Sequence, residues 1–132
     1  MKNRILAVAL AAALASCQTQ PGALDKVKTG QPVALTPLDT QIVVHGVQAS
    51  LKDPSSAMVS GLRASMADNV VSVCGYVNGK NSYGAYTGNM PFNGTLATNN
   101  AGNRVFLVTG IGDGGTYSQA VMMVCAKMGA PI

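Results

Sequence analysis

The sequence predicts an α+β domain over residues 38–132: an N-terminal helix, an antiparallel sheet of about four strands, and a C-terminal helix pinned by a disulfide. Three observations carry this prediction. Strand-patterned runs are grouped mid-chain between Asn- and Gly-rich turns, with helix-patterned segments outside them. That order suits segregated helices and strands rather than a doubly wound parallel sheet. Two cysteines, Cys74 and Cys125, remain once Cys17 is assigned elsewhere, an even pair suited to a bridge.

The chain opens with Lys2 and Arg4, then the apolar run Ile5–Leu14, then Ala15-Ser16-Cys17. A bilayer-spanning helix needs about twenty apolar residues, so this run has the length of a signal-peptide core. A basic start, an apolar helix, small residues and then Cys resemble a bacterial lipoprotein signal. Residues 1–16 are expected to be removed and the Cys17 thiol acylated, anchoring the protein to a membrane. Ala13-Leu14-Ala15 also fits ordinary secretory cleavage, and the run can be read as a buried helix. By analogy with Gram-negative sorting, Gln18 favours the periplasmic leaflet of the outer membrane. Residues 17–37 hold three Pro and two Gly without sustained periodicity and are read as a lipidated flexible tether. Twenty such residues span about 25 Å.

The helix is predicted from Asp39, with Asp39 or Thr40 as its N-cap. Val43, Val44, Val47 and Leu51 form an apolar face, with Gln41, His45 and Lys52 opposite. The β-branched run Ile42-Val43-Val44 leaves a strand open as the alternative. Asp53-Pro54 ends the segment. Leu62–Ala67 and Val70–Val77 read as strands around the tight turn Asp68-Asn69. After the turn Asn78–Asn81, a strand is expected over Tyr86–Leu96. Asn99–Asn103 forms another turn, and Arg104–Thr109 (RVFLVT) is the clearest strand. Gly110–Gly115 is a loop, and Ser118–Met128 a helix ended by Gly129 and Pro131. Because that last segment is apolar all round, a buried strand stays open.

Composition limits the function. The formal charge of +4 owes much to Lys2 and Arg4; without them seven basic side chains face five Asp. No basic stripe interleaved with aromatics remains, so nucleic acid is not expected as a partner. In an exported protein Cys74 and Cys125 are expected to pair, closing about fifty residues for roughly 4 kcal/mol. Two buried free thiols are the alternative. No metal site is expected, since His45 is the only histidine available to join them. Gly110-x-Gly112-x-Gly114-Gly115 matches neither a dinucleotide fingerprint nor a P-loop, so no cofactor is expected.

Leu51-Lys52-Asp53-Pro54-x-Ser56-Ala57 and Val73-Cys74-Gly75-x-Val77-Asn78-x-Lys80-Asn81-x-x-Gly84-x-Tyr86-x-Gly88-x-x-Pro91-Phe92 resemble a group of small exported bacterial proteins. Those proteins carry a DPxSA element and a CGxVNxKNxxGGYxGxxPF element. This chain departs at Ala85, where the pattern has Gly. The resemblance implies a domain of this size and no particular reaction. From the residues alone, Asn78, Lys80, Asn81, Tyr83, Tyr86 and Phe92 are a candidate binding loop, with aromatic faces for a sugar or peptide and polar groups beside them. The alternative is a structural turn whose Asn side chains bond local backbone.

Catalytic groups are few. The chain has no Glu, and a Ser-His-Asp set would have to join His45 to Ser56 or Ser60 and Asp53, which spacing does not bring together. The expected function is therefore a lipid-anchored envelope protein that binds a protein or cell-wall component without catalysis. A periplasmic inhibitor or immunity protein, plugging a cell-wall hydrolase or toxin with residues 78–88, is the alternative. A hydrolase using His45 ranks third.

Overall fold

The structure, a computed structural model, describes residues 26–132. In chain order the elements are β1 (Gln31–Val33), α1 (Pro37–Ala49), a 3₁₀ turn at Pro54–Ser56, β2 (Met58–Ala67), β3 (Val70–Asn78), β4 (Met90–Thr98), β5 (Arg104–Ile111) and α2 (Thr116–Met128). The strands form one antiparallel sheet in the order β1-β2-β3-β4-β5. The α+β class is as expected, but the sheet has five strands. The additional one, β1, lies within the segment read as tether. It pairs Gln31–Val33 with Ala64–Met66. Pro32 marks it as a sheet edge, where a missing N–H costs nothing.

Thr36 caps α1, rather than Asp39 or Thr40: its hydroxyl oxygen accepts from the Asp39 N–H at 3.0 Å, and Pro37 takes the first helical turn. Of the expected apolar face Val43 and Val47 are buried, whereas Val44 and Leu51 are half-buried. Asp68 and Asn69, with φ of 49° and 63°, form the two-residue turn between β2 and β3. Both central residues at positive φ match the twist of an antiparallel hairpin. β2 begins four residues earlier than predicted. Gly61 and the register shift between Ser60 and Arg63 interrupt the alternation that would have revealed it. β4 starts at Met90, not Tyr86. α2 is helical, with Ser118, Val121 and Cys125 buried on one face.

Alternation along β3 separates two cores. Val73 and Val77 face α1 and pack with Val43, Val47, Ala64, Phe92, Leu96 and Phe106. Cys74 faces the other way, with Val121, Cys125 and Ala130. The molecule is thus three layers, with α1 mainly over β5 and α2 mainly over β4. The Phe92 and Phe106 rings meet edge to face at 6.1 Å. Gly94 makes room for this pair: a Cβ there would stand 2.4 Å from the Phe106 ring. Cys74 and Cys125 are disulfide-bonded, joining α2 to β3 as predicted. The Ser65 hydroxyl and the Gly30 N–H both donate to the Met128 carbonyl, at 2.7 and 2.9 Å, tying the end of α2 to the β1–β2 edge.

Candidate functional site

Residues 79–89, between β3 and β4, form a narrow ribbon. Gly79 is buried, and residues 80–89 are all exposed. Lys80 and Tyr86 pair across the ribbon. Asn81 organises the tip. Its N–H donates to Ala85 O at 2.8 Å, and its carbonyl accepts from Gly84 N–H at 3.0 Å. Its side-chain Oδ1 accepts from Tyr83 N–H at 2.9 Å and Ala85 N–H at 3.1 Å. Gly84, at φ 80°, supplies the left-handed residue that a three-residue hairpin tip requires. Asn99–Asn103 repeats the design: Asn99 Oδ1 accepts from Ala101 and Asn103, and Gly102 has φ 81°. At the root, Asn78 Oδ1 accepts from Gly88 N–H at 3.1 Å.

The six residues singled out from sequence therefore divide. Lys80, Tyr83 and Tyr86 share the exposed ribbon, and Tyr83 is 94% exposed. The Lys80 ammonium lies 5.5 Å from the Tyr86 ring centroid. Asn78 and Asn81 spend their carbonyl oxygens on ribbon backbone, which is the turn reading of these residues. Phe92 corrects the expectation: it is fully buried between the sheet and α1, where β4 alternation directs it, and is no part of a binding surface.

Two residues at the ribbon escaped the sequence reading. Ser56 Oγ accepts from Lys80 N–H at 2.9 Å, and Lys52 Nζ donates to Ser82 Oγ at 3.1 Å. The sequence singled out Ser56 only as a possible catalytic serine; its place just after Asp53-Pro54 is the turn signal that could have found it. The Asp53 carboxyl is lowered by the Ser55 hydroxyl first, against some desolvation, and further by the Ser56 N–H and the Lys80 charge. A cavity of about 210 Å³ beside the root is lined by Leu51, Lys80, Thr87, Met90 and Asp113 among others.

The Gly-rich loop leads into α2, but its helix N-terminus is already served. Asp113 Oδ1 accepts from Gly115 N–H at 2.8 Å and Ser118 N–H at 3.4 Å, and Ser118 Oγ accepts from Gly114 N–H at 2.7 Å. The Gly115 N–H, followed by the other local N–H groups, holds the Asp113 carboxyl below its ordinary value despite partial desolvation. A phosphate approaching these N–H groups would meet a carboxylate.

His45 is exposed on α1, where it lines a groove of about 570 Å³ between α1 and β5 with Leu38, Gln41, Arg104 and Leu107. Ser56 instead donates to the Asp53 carbonyl at 2.9 Å. No hydrogen bond joins His45 to Ser56, Ser60 or Asp53 among the described residues, so the Ser-His-Asp set is not assembled. No group of three His, Cys, Asp or Glu suited to a metal occurs among the described residues, and no helix among them is long and apolar enough to cross a membrane. The expected signal peptide, the acylated Cys17 and the tether up to residue 25 lie outside the described residues.

No protein-family model matches this sequence, and neither a curated protein nor a solved structure matches it.

Proposed function

We propose that this is a lipid-anchored envelope protein, attached through Cys17 to the periplasmic face of the outer membrane, that binds an envelope protein or cell-wall component through residues 80–86 without catalysing a reaction. The observation that supports this reading is the position of the ribbon. The chain enters the domain beside the β2–β3 turn, where Lys28 forms an ion pair with Asp68. The ribbon follows the opposite end of β3, about 30 Å away for a nine-residue strand. A tether at the first end presents Lys80, Tyr83 and Tyr86 away from the membrane. The internally closed tip loses little freedom on binding, which also favours a plug for a hydrolase or toxin as the second reading.

The test is photo-crosslinking in cells from positions 83 and 86, with position 100 as control, alongside co-sedimentation with isolated cell-wall sacculi. A single adduct from both ribbon positions and none from position 100 is expected, or specific sedimentation lost on Tyr83→Ala. An adduct that proves to be a hydrolase or toxin selects the inhibitor reading. Neither adduct nor sedimentation rejects both. Membrane fractionation of Cys17→Ser tests the anchor: loss from the membrane fraction is expected, and unchanged attachment removes lipidation from the proposal.

A further inference from the structure

The ribbon's own bonds define its tip but leave its direction to its root. Apart from Asn78 at that root, the hydrogen bonds from the ribbon to the rest of the described domain run to Lys52 and Ser56. We infer that residues 51–56 are a brace that sets the pose of residues 79–89, and that Ser56 is its positioning residue. This rests on the proposed binding role of the ribbon and names the residue that controls it.

The geometry of Ser56 gives the reason. Pro54 starts the 3₁₀ turn, and the Asp53 carbonyl accepts both the Ser56 N–H at 3.3 Å and its hydroxyl at 2.9 Å. With the hydroxyl proton committed to Asp53, the oxygen lone pairs are free to face Lys80 N–H. Ser55 donates to Asp53 Oδ1 at 2.7 Å, holding the same turn closed from its other side. Behind this contact Leu51 packs on Gly79, where an added Cβ would stand 3.1 Å from the leucine. Lys80 is also the residue that pairs with Tyr86 and lies near its ring, so its backbone position orients both. Ser56 and Lys80, 24 residues apart in the sequence, thus join the 3₁₀ turn and the ribbon into one structural unit.

Ser56→Ala removes the acceptor while leaving an exposed N–H that water can satisfy. One net hydrogen bond corresponds to about a threefold to tenfold change in a local opening equilibrium. Native-state hydrogen exchange on the full chain should therefore show the Lys80 amide about threefold to tenfold faster in Ser56→Ala, with β3 and β4 amides and Tm little changed. Crosslinking or sacculus binding through Tyr83 should fall by a similar factor, and Ser56→Thr, which keeps the hydroxyl, should restore both. A merely structural serine would change Tm without a selective effect at Lys80 or on partner capture. Unchanged Lys80 exchange in Ser56→Ala overturns the brace, even where the parent captures no partner. Faster exchange with undiminished capture overturns its control of binding. If Ser56→Thr lowers Tm, Lys52→Ala with Ser56→Ala replaces it; no further acceleration than in Ser56→Ala then confines the brace to Ser56.

Discussion

At the scale of single residues, Asp39 connects the first helix to the last strand. Its N–H donates to Thr36 Oγ1 while Thr36 donates back to its carboxylate at 2.9 Å, and Arg104, 65 residues later, donates to the other oxygen. Desolvation raises the Asp39 carboxyl, but the Thr36 and Arg104 hydrogen bonds and the Arg104 charge outweigh it and leave it below 3.8. A depressed carboxyl contributes stability that is full above its unfolded value and lost as pH falls through the folded value. The Asp39 contribution to Tm should therefore be complete and independent of pH near neutrality and fall away below pH 3.8, and Asp39→Asn should flatten that acid limb. An acid limb of equal steepness in the variant would contradict this assignment. Phe92 carries a different kind of weight. Phe92→Ala empties the centre of the α1-side core and should cost about 3–5 kcal/mol by chemical denaturation, as large aromatic truncations do. A loss below about 1 kcal/mol would mean that Phe92 is not packed as described.

At the scale of elements, α2 depends on its bridge. The two cysteines are separated by 51 residues, which corresponds to about 4 kcal/mol on the chain-entropy estimate. Besides its packing on β4, α2 and the tail after it are held by a small cluster, Val121 and Ala130 with half-buried Ile132, and by the Ser65 and Gly30 bonds to the Met128 carbonyl. Replacing both cysteines by Ala should lower stability by about 4 kcal/mol and make α2 amides exchange before those of β3. Full retention of stability would show that helix packing alone suffices. The hairpin tips belong to this scale too. Asn81 and Asn99 each precede a glycine by three residues, and each closes its turn by accepting two backbone N–H bonds. This N-x-x-G pattern was available in the sequence as a turn signal. It also explains why an asparagine in the conspicuous 78–92 segment serves the chain itself.

At the scale of the whole molecule, the sheet separates two ends. One receives the chain at Lys28 and carries the β2–β3 turn; the other carries the ribbon, the 3₁₀ turn and the start of α2. Several features were legible because they are local. The Asp68-Asn69 turn, the RVFLVT strand, and the helical C-terminal segment follow from short-range pattern and turn chemistry. The cysteine pairing followed from arithmetic, because two candidates remained once Cys17 was set apart in the expected N-terminal signal. β1 was not legible, since three residues containing a proline carry no period and gain their identity only from β2. The inward direction of Phe92 also escaped, because an aromatic beside a loop reads the same until strand register assigns its face. The α1–β5 groove and the Ser56–Lys80 bond join segments far apart in sequence. By itself, then, the sequence determined the α+β class, the principal turns and the bridge, through periodicity and the few options open to Gly, Asn, Pro and Cys. Tertiary structure alone decided which aromatics stay exposed, which asparagines are consumed by backbone, and which serine braces the ribbon. Those outcomes depend on register and packing between distant segments, which local periodicity does not encode.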